Sequence, residues 1–116
     1  MDTEPARDDE RIARIRRLND ALRVHGIGGE IYLTRGVAIR GADFVARAFR
    51  AAADFDKFTD GNDSYEEHDF GAVTVDGAKL YFKVDYYGRH YKYMSDDPSD
   101  PEKTKRVMKI LLAEEY

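Results

Sequence analysis

His68 is one of three histidines in the 116-residue chain. It lies in the stretch richest in other groups able to move a proton or hold an ion. In Asp60-Gly61-Asn62-Asp63-Ser64-Tyr65-Glu66-Glu67-His68-Asp69-Phe70-Gly71, three carboxylates (Glu66, Glu67 and Asp69) fall within two residues of its ring. A histidine beside a carboxylate can act as a general base, and the same groups could bind a divalent ion. No signature completes either site. The chain has no His-x-His and no His-Glu-x-x-His, and Ser64 has no oxyanion-hole motif beside it. Cysteine is absent, which excludes disulfides, thiolate zinc sites and a cysteine nucleophile. Gly28-Gly29 precedes a strand pattern and lacks the Lys-Ser or Lys-Thr of a phosphate loop. No cofactor is expected.

The elements that must position His68 follow from periodicity. Ile12, Ile15, Leu18 and Leu22, with Ala21, form one stripe of a helix that Asp8 or Asp9 starts and Gly26 stops; residues 1–7 read as a frayed tail. Arg11, Arg14, Arg16, Arg17 and Arg23 fall off that stripe and read as a solvated face. Glu30 to Thr34 reads as a short strand. A second helix runs from Asp43 to about Asp54, with Phe44, Val45, Ala48, Phe49 and Ala52 as its buried face. Phe55 and Phe58 should anchor the loop that follows.

Asp69 to Asp76 and Lys79 to Tyr87 read as strands joined by Asp76-Gly77, the strongest short hairpin signal. Leu80, Phe82, Val84 and Tyr86 should point to the core, with Lys79, Tyr81, Lys83, Asp85 and Tyr87 on the other face. A turn at Gly88-Arg89 leads to a third hairpin strand, His90 to Met94. Asp100-Pro101-Glu102 looks like a helix start, with Val107, Met108, Leu111 and Leu112 as the stripe. The expected fold is therefore a single α+β domain over 1–116. It would be an antiparallel β-meander with an added N-terminal strand and three helices packed on one face, in the order α-β-α-β-β-β-α.

With both turns tight, the hairpin registers place His68, Asp85 and Lys92 in one row across three strands. The bland reading is that His68 and Lys92 bond to Asp85 and pin the loop to the sheet. The alternative is a metal-dependent hydrolase or ligand site at His68, Asp69 and Asp85. A further alternative is single-stranded nucleic acid on the aromatic and basic face of Tyr81, Tyr87, His90, Lys79, Lys83, Lys92 and Arg89. Against that stand the overall acidity and the possibility that a helix covers the face.

Net charge is −4 and unevenly placed. Residues 54–69 hold Asp54, Asp56, Asp60, Asp63, Glu66, Glu67 and Asp69 against Lys57 alone, and Asp96, Asp97, Asp100 and Glu102 cluster in residues 95–102. Such asymmetry favours a basic partner, a metal ion or intramolecular pairing. No apolar run approaches the roughly 18 residues of a membrane span, and the acidic, polar start is unlike a signal peptide. A cytoplasmic protein is expected.

The motif Phe58-Thr59-Asp60-Gly61-Asn62-Asp63-Ser64-Tyr65-Glu66-Glu67-His68-Asp69-Phe70-Gly71 resembles the centre of a family of small alphaproteobacterial proteins. The segments Leu18-Asn19-Asp20-Ala21, Leu33-Thr34-Arg35-Gly36-Val37, Lys83-Val84-Asp85-Tyr86-Tyr87 and Leu111-Leu112-Ala113-Glu114-Glu115-Tyr116 resemble it too. That family, often plasmid-borne, is catalogued only as a domain of unknown function (family 3768). Ser64 and Glu66 stand where its motif carries proline and glycine. The resemblance implies no activity. It implies a mobile-element setting, in which small acidic proteins often block restriction or CRISPR systems.

The leading expectation is a non-enzymatic binding protein. Asp60, Asp63, Tyr65, Glu66, Glu67, His68 and Asp69 would dock on a protein with a basic surface, such as a nucleic-acid-processing complex.

Overall fold

The computed structural model describes residues 4–90 and 93–116. The chain is α+β. Its elements are α1 (Glu4–His25), β1 (Glu30–Leu33), α2 (Arg35–Ala38), α3 (Ala42–Asp54), β2 (Phe70–Val75), β3 (Ala78–Tyr87) and β4 (Lys105–Leu112), with a closing 3-10 turn (Ala113–Glu115). The four strands lie in the order β1-β4-β3-β2.

The β2–β3 hairpin forms as its turn chemistry dictates. Asp76 and Gly77 take φ of 52° and 80°, the pair of positive values a type I′ turn needs. Phe70 lies opposite Lys83 and Val75 opposite Ala78, which is the expected register. Leu80, Phe82 and Val84 face inward and are buried. Opposite them on β4 lie Leu112, Ile110 and Met108. Leu22, Val37, Phe44, Ala48 and Ala52 of the helices close over this face. Burying a side chain such as Phe82 contributes about 1.5–3 kcal/mol. Gly71 makes room for it, since a Cβ there would collide with the Phe82 ring.

Three expectations are corrected. The segment read as a C-terminal helix is strand β4, antiparallel to β3 and parallel to β1, so the sheet is mixed rather than a meander. A central strand, paired along both edges, can bury side chains on both faces and need not alternate. Val107, Met108, Ile110, Leu111 and Leu112 are all buried, and such a run cannot be told from a buried helix by period alone. The Asp100 signal is real but local: its carboxylate accepts the Glu102 amide at 2.9 Å in a short turn that ends before Thr104. Second, β4 occupies the place expected for His90 to Met94. Of that stretch, Met94 makes an isolated bridge to Tyr87, while 91 and 92 lie outside the described residues. Third, α1 begins at Glu4, not at Asp8 or Asp9, and Phe49 sits at the exposed margin of α3.

Candidate functional site

On the inner face of the sheet, the row after Val84 and Met108 pairs Tyr86 with Arg106. The core turns polar there, and α1 turns polar with it. Among its residues Ile15 and Leu22 are buried, and so are Asn19 at 0% exposure and Arg23 at 7%. Arg23 was expected among solvated arginines. Its position four residues after Asn19 puts both polar groups on the apolar stripe instead.

Asn19 is the hub. Arg106 Nε donates to its Oδ1 at 2.6 Å. Asn19 Nδ2 donates to the Glu67 carbonyl at 2.9 Å and to the Tyr86 hydroxyl at 2.8 Å. The Tyr86 hydroxyl in turn donates to Glu67 Oε1 at 2.7 Å. Arg106 Nη2 donates to the Pro98 carbonyl, and its guanidinium lies 5.2 Å from the centre of the Tyr86 ring. Burial, then the bond to Glu67, pushes the Tyr86 hydroxyl far above the ordinary tyrosine value. Burial pulls Arg106 below its own. The network ties α1, β3 and β4 to one another and, through Glu67 and the Pro98 carbonyl, fastens the two acidic loops to them.

Arg23 ties in the start of the long loop. Nη1 donates to the carbonyls of Ala52, Ala53 and Phe55 at 2.8, 3.1 and 3.0 Å. Helix α3 has no basic residue in its own last turn, and Arg23 supplies the cation that its C-terminal dipole favours. Nη2 donates to Asp20 Oδ1 at 3.0 Å. That carboxylate also holds His68 Nδ1 at 2.9 Å, while His68 Nε2 lies 3.7 Å from Asp63 Oδ2. The His68 ring stacks on Phe58, with centroids 3.7 Å apart. Phe55 meets Phe58 and Phe82 edge-on at 4.7 and 5.4 Å, the anchoring expected of both phenylalanines.

The family model described as "Protein of unknown function (DUF3768)" matches residues 33–115. The chain belongs to that family. No curated protein and no solved structure matches it. The DUF3768 segment contains the loop and strands β2 to β4, whereas Asn19, Asp20 and Arg23, which lock the loop, precede it.

Within the DUF3768 loop the sequence-derived site residues divide. Asp60, Tyr65 and Glu66 are exposed, Tyr65 at 76%. Asp63 is buried and accepts the His68 amide at 3.0 Å. Glu67 and His68 turn inward to the network. Asp69 is half-buried, and its carbonyl accepts the Val84 amide at 2.8 Å. Burial, then the neighbouring Glu67 charge, raises the Asp69 carboxyl above the ordinary range. The row of His68, Asp85 and Lys92 is not what His68 joins. Pairing stops at Asp69, and His68, at φ 56°, swings its ring to Asp20. Asp85 accepts Lys83 Nζ at 2.8 Å, and Lys92 lies outside the described residues. Among the described residues, no group of three or more His, Asp or Glu side chains converges as a metal site.

Glu66 adopts φ 59°, a region glycine enters freely. Arg16 Nη1 donates to its carbonyl at 2.8 Å. A cavity of about 270 Å³ opens here between Arg16, Phe58, Thr59, Asp60, Glu66 and His68. Both nitrogens of His68 face carboxylates, so neither is turned to a nucleophilic hydroxyl. The arrangement suits holding a loop shape more than proton transfer. Asn19, Asp20, Tyr86 and Arg106 were missed as site residues. The one signal was polar residues interrupting an apolar stripe of α1.

Proposed function

We propose that the protein is a non-enzymatic binding module whose acidic loop docks on a basic protein surface. One observation carries this reading. The stretch from Phe55 to Asp69 contains neither helix nor strand, yet Asp63, Glu67 and His68 fasten it from beneath while Asp60, Tyr65 and Glu66 project. A loop of that length without regular structure inside a small domain is usually functional. Fixing its shape in advance lowers the entropy cost of binding. An exposed tyrosine in one loop with the exposed Asp60 and Glu66 suits an anchor meeting cations.

Spaced carboxylates can stand in for phosphates. The partner of choice is therefore a nucleic-acid-processing complex, such as the restriction or CRISPR machinery that mobile elements confront. The test is capture from nuclease-treated host lysate with wild type beside Asp60→Lys/Glu66→Lys. Those two side chains project outward, so the variant should keep its melting temperature within about 2 °C, since such surface changes cost within ±0.5 kcal/mol. The expected result is one stoichiometric protein held by wild type alone. A folded variant that captures it equally well overturns the reading.

A further inference from the structure

The outer face of the sheet carries an arrangement that folding alone does not favour. Its central row runs Tyr32, Lys109, Lys83, Phe70 across all four strands. Lys109 and Lys83 are direct cross-strand partners, and like charges so placed destabilise a sheet. Asp85 takes up Lys83, at 2.8 and 3.0 Å. Lys109 is exposed and has no ion-pair partner among the described residues. The next row pairs Tyr81 with Leu111. Phe70, Tyr81 and Tyr116 form an aromatic cluster with centroids 5.0, 6.1 and 5.5 Å apart, and Lys79 Nζ sits 5.4 Å from the Tyr81 ring centre. The helices pack on the opposite face, through Leu80, Phe82, Val84 and their partners; on this one Tyr116 packs on Phe70 and Tyr81, while Tyr32 and Lys109 stay exposed.

Cations set between aromatic rings on an open sheet complement one ligand chemistry well. Phosphates would relieve the lysine repulsion, and bases would stack on the rings. We propose that this face binds single-stranded nucleic acid. Lys83 and Lys109 would meet the backbone, and Tyr32, Phe70 and Tyr81 would take the bases. The net charge of −4 makes the binding weak at physiological salt and strong only when salt is low. This surface and the acidic loop use different residues, so either reading can fail alone.

The experiment is fluorescence anisotropy of labelled oligothymidylate with the full chain across a salt series. Wild type should bind at low salt. Lys109→Gln should flatten the slope of log affinity against log salt by about 0.7. Lys83→Gln/Lys109→Gln should weaken binding at least about tenfold, as loss of two phosphate contacts requires. Tyr32→Ala should lower affinity by roughly fivefold or more, while Lys57→Gln, on the acidic loop, should change nothing. Absence of binding at low salt overturns the proposal, as does an unchanged slope in folded Lys109→Gln or equal loss in Lys57→Gln. So does a wild-type dimer in sedimentation that Lys109→Gln dissociates, because the occupant would then be a second copy of this chain.

Discussion

Tyr86 and Tyr81 stand five residues apart on one strand and meet opposite fates. Tyr86 faces the helices beside the buried Arg106, and its hydroxyl both accepts and donates. Tyr81 faces outward beside Lys79, on a face where two lysines oppose each other. Both faces of the β3–β4 pair therefore carry cations next to tyrosines. On the inner face the Tyr86 hydroxyl and the Arg106 guanidinium are both bonded, because an unpaired polar group there costs about 1–3 kcal/mol. On the outer face water screens the lysine pair, and a repulsion of a few tenths is tolerable. The same residue types thus hold the fold together on one side and offer a surface on the other.

The contrast breaks first at Asn19. Asn19→Leu strips partners from Arg106, Tyr86 and the Glu67 carbonyl together. It should cost about 3–5 kcal/mol in urea unfolding, with much of that recovered in Asn19→Leu/Arg106→Met, where the buried guanidinium is gone too. A cost near zero would mean the inner network is as dispensable as the outer lysines.

Tyr86→Phe and Tyr81→Phe sharpen the comparison by removing one hydroxyl from each face. The inner change should cost about 1–2 kcal/mol and the outer within ±0.5 kcal/mol; equal costs would erase the distinction.

The third effect depends on pH. The folded-state pKa of Asp69 lies above its unfolded value, so its ionised form costs stability. That cost is absent below the unfolded value of about 3.9 and complete above the raised folded one. Asp69→Asn should therefore be more stable than wild type at neutral pH, with the gain fading as acid is added through that window. Asp97 and Glu115 work in the opposite sense. The Ser99 hydroxyl lowers the first and the Thr34 hydroxyl the second. Their stabilisation is present above the ordinary carboxyl range and is lost as pH falls through their depressed values. Paired thermal melts of wild type and Asp69→Asn across the acid range separate the two senses.

Lys109→Thr relieves the outer pair and should raise stability by about 0.2–1 kcal/mol. A loss instead would show that the two lysines do not repel. The smallest change is expected from Glu66→Gly. Glycine relieves the left-handed backbone of Glu66 but gains freedom in the unfolded chain, for a net gain of a few tenths of a kcal/mol in the same assay.

Local signals were legible in the sequence. Asp76-Gly77 set the hairpin and its register, because that turn demands positive φ at both residues. The alternation in Lys79 to Tyr87 assigned each side chain to its face. Periodicity found α1 and α3, and Phe55 and Phe58 announced the anchoring of the loop. The motif around His68 pointed to the family. Three things were decided only by the tertiary structure. Lys105 to Leu112 became a strand because β1 and β3 flank it, with Val107 and Leu111 buried on one face and Met108, Ile110 and Leu112 on the other, which no local period encodes. His68 turned to Asp20 rather than Asp85 because a positive φ at a single residue ends the ladder at Asp69. Asn19, Arg23 and Arg106 became interior because most of their bonding partners lie 29 to 87 residues away along the chain and arrive only when the sheet and α1 close on one another. Desolvating a guanidinium is favourable only with its partners in place, and the side-chain partner of Arg106, Asn19, is remote in the sequence.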